Sequence, residues 1–172
     1  MFDPTIFDNI KVVCEGAVYD LDLGGTIIVT DRQDSIELST MSRQYSLSFQ
    51  LGGGVGATAC IRLSAGTDDL AGEILELPRI RPGCRIDLSF RMKITDPERE
   101  CPAIQTNMEN IWGKETKVVQ TLSYPYGGLD SVFHNGIQID FERKFGEEVI
   151  EDLPRLLEHM VATLEDLLEP LY

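Results

Sequence analysis

The run from Cys84 to Ile94 alternates without a break: Cys84, Ile86, Leu88, Phe90, Met92 and Ile94 fall on one side, and Arg85, Asp87, Ser89, Arg91 and Lys93 on the other. A period of two sends successive side chains to opposite faces of a pleated strand, so this segment predicts a strand with one dry and one wet face. The pattern recurs at Tyr45, Leu47, Phe49 and Leu51, and again at Ala57, Ala59, Ile61 and Leu63. Between these two runs, Gly52-Gly53-Gly54-Val55-Gly56 predicts a flexible hairpin connection. Nearer the start, Ile10 to Leu23 reads as a strand with a bulge at Gly16, which Gly24-Gly25 turns into a second strand over Thr26 to Thr30. Residues Asp31 to Ser42 are polar with isolated Ile36, Leu38 and Met41, and predict a loop or a short strand.

Thr116 to Leu122 predicts another strand. Asn135-Gly136, set between Ser131-Val132-Phe133 and Ile137-Gln138-Ile139, predicts a two-residue hairpin turn because both residues tolerate positive φ. The sum is six to eight mostly antiparallel strands. Their polar alternate faces imply a sheet packed on one side only, since strands buried on both faces read as continuous apolar runs.

Helical spacing is scarcer. Thr67-Asp68-Asp69 ahead of Leu70, Ile74 and Leu77 fits a short capped helix, while Glu73 to Leu77 also fits a strand beside the Cys84 run; so short a stretch leaves both open. Cys101-Pro102, followed by Ala103, Ile104, Met108, Ile111 and Trp112 and closed by Gly113, predicts a helix with proline in its first turn. Ile150, Leu153, Leu157, Met160, Leu164, Leu167 and Leu171 are spaced alternately by three and four, which lays one apolar stripe along a C-terminal helix. Pro154 fits its first turn, or a kink after a preceding turn from Gly146 to Leu153. The expected architecture is one α+β domain over residues 1–172, sheet-rich over 1–145, with an amphipathic helix over 147–170 covering the dry face of the sheet.

Composition narrows the function classes. A chain of 172 residues with 42% apolar content buries a core without staples. Its net charge of −14 repels polyanions, which disfavours nucleic acid and anionic lipid as primary partners. No apolar run approaches the roughly 20 residues of a membrane helix. Cys14, Cys60, Cys84 and Cys101 form no C-x-x-C pair and have no histidine close by, against the pattern of a zinc knuckle or a redox dithiol. With no basic-then-apolar leader at Met1, reduced thiols and a cytoplasmic location are expected.

Candidate chemistry is thin. The glycine cluster lacks the Lys-Ser or Lys-Thr ending of a phosphate loop, and a strand follows it instead of a helix. Asp20, Asp22 and Asp31 supply a few oxygens where a hard cation takes about six, so neither a metal nor a cofactor is expected. Cys101 and His134 are the catalytic candidates. Cys101 is expected at a helix start, where unpaired amides favour thiolate, although Glu98 and Glu100 oppose this. His134 stands near Tyr124, Tyr126, Asp130 and Ser131, which offer an acid, a base and hydroxyls. The plainer readings are a cysteine without function and a polar hairpin residue. His159 reads as a helix-surface residue.

Arg79, Arg81, Arg85 and Arg91 are the ligand-binding candidates. With Lys93 they form the main basic concentration in an acidic chain, suited to a carboxylate or an acidic protein segment, against the plainer reading of a balanced surface. Gly146 to Tyr172 carries eight acidic residues against Arg155, half of the net charge. A helix apolar on one side and acidic on the other is first a lid on its own sheet, and second a surface for a protein partner or a homodimer. Its acidic polar face does not suit a membrane surface. The expected function is a non-enzymatic protein-binding or adaptor module. The alternative is a small enzyme or small-molecule-binding protein whose site is assembled from scattered residues.

Overall fold

In the computed structural model, which describes residues 5–54, 56–128 and 131–169, the alternating runs pair into one six-stranded sheet. Its strands are β1 (Ile27–Glu37), β2 (Ser42–Leu51), β3 (Thr58–Ala65), β4 (Cys84–Ile94), β5 (Lys117–Ser123) and β6 (Phe133–Phe145). Their spatial order is β1-β2-β3-β4-β6-β5, and every pairing is antiparallel. Four helices complete the fold: α1 (Thr5–Leu23), α2 (Thr67–Ile74), α3 (Pro97–Trp112) and α4 (Leu153–Leu168). The fold is thus α+β, with the C-terminal helix packed on an antiparallel sheet. None of the helices is long and apolar enough to cross a membrane.

The dry face is built as the alternation requires. Leu47, Phe49, Ala59, Ile61, Leu63, Leu88, Phe90, Ile137 and Ile139 are buried, and α4 adds Leu153, Leu157, Met160, Leu164 and Leu167 from its stripe. Helix α4 runs between α1 and α3 and reaches β2 and β3 beneath them. Pro154 lies in its first turn; Ile150 belongs to a preceding 3-10 turn, Glu147–Asp152, and Leu171 lies outside the described residues. The last turn of α4 presses Leu168 onto the β2–β3 loop. A Cβ at Gly56 would stand 2.0 Å from Leu168 Cδ2, and Gly56 has φ +97°, so glycine answers both demands.

Two local expectations are corrected, and a third, left between loop and short strand, resolves to strand over Asp31 to Glu37. Ile10 to Leu23 is not a strand with a bulge at Gly16 but most of α1. Its buried residues Phe7, Ile10, Cys14 and Val18 follow the helical period. Strand alternation would bury Val12 alongside Ile10 and Cys14, yet Val12 is 64% exposed. No hairpin therefore precedes β1; Gly24 and Gly25 turn a helix into a strand.

Asp31 to Glu37 is regular strand, paired residue by residue with β2 after a bulge between Val29 and Asp31. Its helix-facing side is polar because it meets α1 through ion pairs: Arg32 with Glu15 at 2.6 Å, Lys11 with Asp34, and Arg43 bridging Asp8 and Asp34 at 3.3 Å each. The Arg32 hydrogen bond is the main cause holding the Glu15 carboxyl below its usual range.

Asn135-Gly136 is not a turn. Both residues sit inside β6, where Asn135 pairs with Met92 and Leu122, and Gly136 with Arg91 and Thr121. Pairing on both flanks outweighs the turn propensity of the dipeptide, and Gly136 stays out of the left-handed region.

The open choice at residues 67–77 resolves to helix α2 over Thr67–Ile74, with residues 75–77 in neither helix nor strand. Its N-terminus is held by Asp69, only 5% exposed, whose carboxylate accepts from Gly66 N–H at 3.2 Å, Gly83 N–H at 3.3 Å and Lys144 Nζ at 2.7 Å. Asp69→Ala strands two backbone amides and leaves the half-exposed Lys144 ammonium to water. It is expected to lower stability by about 2–3 kcal/mol in urea titration; a loss below about 0.5 kcal/mol would show that water replaces the carboxylate without penalty.

Candidate functional site

With α1, α3 and α4 on one face, the other face of the sheet is left without a covering helix among the described residues. The register orders this open face into rows running across the strands. One row is Gln33–Ser46–Arg62–Asp87–Asp140–Lys117, the next Asp31–Ser48–Cys60–Ser89–Gln138–Val119. A third is Ile28–Gln50–Thr58–Arg91–Gly136–Thr121, in which Gln50 Nε2 donates to Thr58 Oγ1 at 2.8 Å, and beyond it Lys93–His134–Ser123 closes the end.

Charge is distributed unevenly over these rows. In the first, Arg85 from the neighbouring row reaches Asp140 at 3.4 Å and Asp87 at 3.9 Å, and Lys117 meets Glu142 at 3.3 Å, so the charges there are matched. The last two rows hold Arg91, Lys93 and His134 and no acid. None of these three forms an ion pair among the described residues.

A cavity of about 750 Å³ opens at that acid-free end. Arg91, Lys93 and His134 line it with the hydroxyls of Thr58, Thr121 and Ser123. Gly136 forms the hollow in its floor, where a Cβ would meet no atom nearer than 3.8 Å. Leu167 and Leu168 at the end of α4, with Gly56 and Ala57, make the apolar part of the wall. A second cavity of about 290 Å³ adjoins it over the middle of the sheet, sharing Arg91, Thr121 and Gly136 and adding Cys60, Arg62 and Ser89. The larger cavity suits an oxyanion: cations and hydroxyl donors face a space that no carboxylate lines among the described residues, whereas Asp87 lines the smaller one.

The structure brings Arg91 and His134 together at this cavity. Arg85 shares the face but is occupied by its two aspartates. Arg79 and Arg81 are exposed in the segment between α2 and β4, away from both cavities. Cys101 lies on the opposite side of the sheet from His134: Asn135, the residue after His134, points to the helix layer and places its Nδ2 4.0 Å from Cys101 Sγ.

Helix α3 begins at Pro97, one turn earlier than Cys101, with Asp96 accepting from Arg99 N–H at 3.3 Å. The Cys101 thiol is therefore past the unpaired amides, and burial, then Glu100, raise its pKa. Cys101 and His134 do not form a nucleophile–base pair. Cys14 and Cys84 are buried thiols pushed up to about 12, mainly by burial. Asp20 and Asp22 lie on the last turn of α1 and not on a strand face, and no group of three or more His, Cys, Asp or Glu at metal-binding distance occurs among the described residues.

Thr58, Thr121, Ser123 and Gly136 were not legible as site residues. Each stands on the polar side of its own strand, and only the register across four strands sets them beside Arg91. Comparison with family models, curated proteins and solved structures finds no match to this chain.

Proposed function

We propose that the protein is a non-enzymatic binding module that seats an acidic segment of a partner protein on the open face of its sheet. One observation carries this reading: Arg91, Lys93 and His134 line the cavity over the Gly136 hollow with no carboxylate among its described lining residues, in a chain of net charge −14. A cation cluster without an ion-pair partner among the described residues has a binding role as its simplest physical account, because an internal acid would stabilise it. The wide opening suits a chain segment crossing the sheet. The separation of Cys101 from His134 removes the thiol–imidazole pair on which the enzymatic alternative was nominated.

The cavity volume also favours a second reading, a small anionic molecule, since about 750 Å³ falls in the range of ligand sites. Filling the hollow tests the site under either reading. Gly136→Val adds a side chain to open space at a backbone position any residue adopts, so folding is expected to be retained.

With a fluorescein-labelled oligoglutamate peptide as probe at physiological ionic strength, wild type is expected to bind and Gly136→Val to bind about tenfold more weakly. Equal binding by both, or none by wild type, would sink the acidic-segment reading. Displacement of the peptide by free glutarate at a comparable concentration would move the assignment to the small anion.

A further inference from the structure

Strand β5 ends the sheet on one side and β1 on the other, and the two edges are built differently. Unpaired strand edges invite another strand, and proteins blunt them with bulges, charges and proline. The β1 edge has such devices: a bulge between Val29 and Asp31, charges at Asp31, Arg32, Asp34 and Glu37, and ion pairs tying it to α1. The β5 edge has none from Val118 to Ser123. That stretch has no charge, no proline and no bulge, and its pairing with β6 is continuous.

We infer that β5 pairs antiparallel with β5 of a second copy of this chain, forming a twofold dimer with one continuous sheet. Charge selects this occupant. Two copies of a chain with net charge −14 repel over most of their surfaces, and a β1–β1 pairing would bring together two edges that each carry Asp31, Asp34 and Glu37 against Arg32 alone. Lys117–Ser123 brings one lysine and no carboxylate to the contact, with Lys114 and Glu115 just before it.

Its apolar groups are self-complementary as well. In the register that centres Gln120 on the twofold axis, Val119 of one copy lies opposite Thr121 of the other, and Val118 opposite Leu122. Lys117 lies opposite Ser123, so the two lysines stay apart. Val119, Leu122 and Tyr124 are 41%, 38% and 69% exposed, and Tyr126 is fully exposed; pairing covers the first two and carries the tyrosines toward Thr116 and Lys114 of the other copy. Because Thr121 and Ser123 line the cavity, the two cavities would flank the junction on the same face of the joined sheet. The inference is independent of what the cavity binds.

Sedimentation velocity on the full chain tests it. A short strand pair buries little area, so a reversible dimer with Kd of about 10–100 µM is expected. Val119→Lys places a lysine in the middle of the edge. It is expected to weaken the dimer at least about tenfold while leaving the thermal midpoint of the dilute monomer unchanged, whereas Val119→Thr keeps the dimer.

Hydrogen exchange gives a second reading: raising wild-type concentration through the transition should slow amides within residues 117–123 and not those of 27–37. A chain that stays monomeric to near-millimolar concentration overturns the inference. So does a dimer unaffected by Val119→Lys, or one that protects the β1 amides instead.

Discussion

Phe90→Ala is expected to destabilise the protein by about 3–5 kcal/mol, whereas Arg91→Ala, one residue further along β4, should change stability by less than about 0.5 kcal/mol. The contrast follows from the pleat. Phe90 is fully buried between Ala59 and Ile137, with its ring centroid 6.5 Å from that of Trp112. Trp112 in turn lies 6.3 Å from Phe141 and 5.8 Å from His159, and its Nε1 donates to Thr163 Oγ1 at 3.1 Å. Removing the Phe90 ring therefore opens a cavity where β4, α3 and α4 meet. Arg91 faces the open side and forms no ion pair among the described residues, so its removal leaves nothing stranded. Urea titration of both variants measures the difference. Comparable losses would mean that both faces of β4 are packed, and the open face would cease to be a candidate site.

The second large effect concerns binding. Reversing Arg91 and Lys93 together, R91E with K93E, changes the local charge by four units. At roughly 5 Å in a water-like medium each unit pair is worth about 0.8 kcal/mol, so the loss toward the oligoglutamate probe is expected to reach about 100-fold. Reversal of Arg79 and Arg81 changes the chain's net charge by the same amount outside the cavity, and is expected to alter affinity less than about threefold. Fluorescence anisotropy on the two double variants and wild type reads this directly. Equal losses in both would show a response to net charge alone, and the cavity would lose its role as the site.

How much was legible before folding depends on whether the information lies within one element or between several. Strands β2, β3 and β4 and the stripe of α4 were readable because each buries one face along its own length, and burial writes its period into the residues. Helix α1 was not, because its β-branched residues Ile10, Val12 and Val13 imitate a strand and mask the spacing of four that joins Ile10, Cys14 and Val18. The second half of β1 was hidden by the ion pairs that replace apolar contacts on its inner side. Asn135-Gly136 misled for another reason: a strand held on both flanks overrides what the dipeptide prefers alone, and Asn135 Nδ2 finds Gln120 Oε1 at 2.9 Å inside the sheet.

The site was half legible on the same principle. Arg91 and His134 were nominated by residue type, but their meeting is a property of register. So is the exclusion of Cys101, which shares a neighbourhood with Asn135 yet faces the helix layer. No spacing within a single strand carries that distinction.

The acid-free end of the open face is a cationic patch on a body whose net charge is −14, part of which sits in the helix layer. A sheet and its helix layer are separated by about 10 Å, close to the screening length of physiological saline. An approaching anion thus senses the local cations in ordinary buffer, whereas in very dilute buffer it senses the whole repelling body. Adding a little salt to such a dilute solution should speed its capture before further salt slows it.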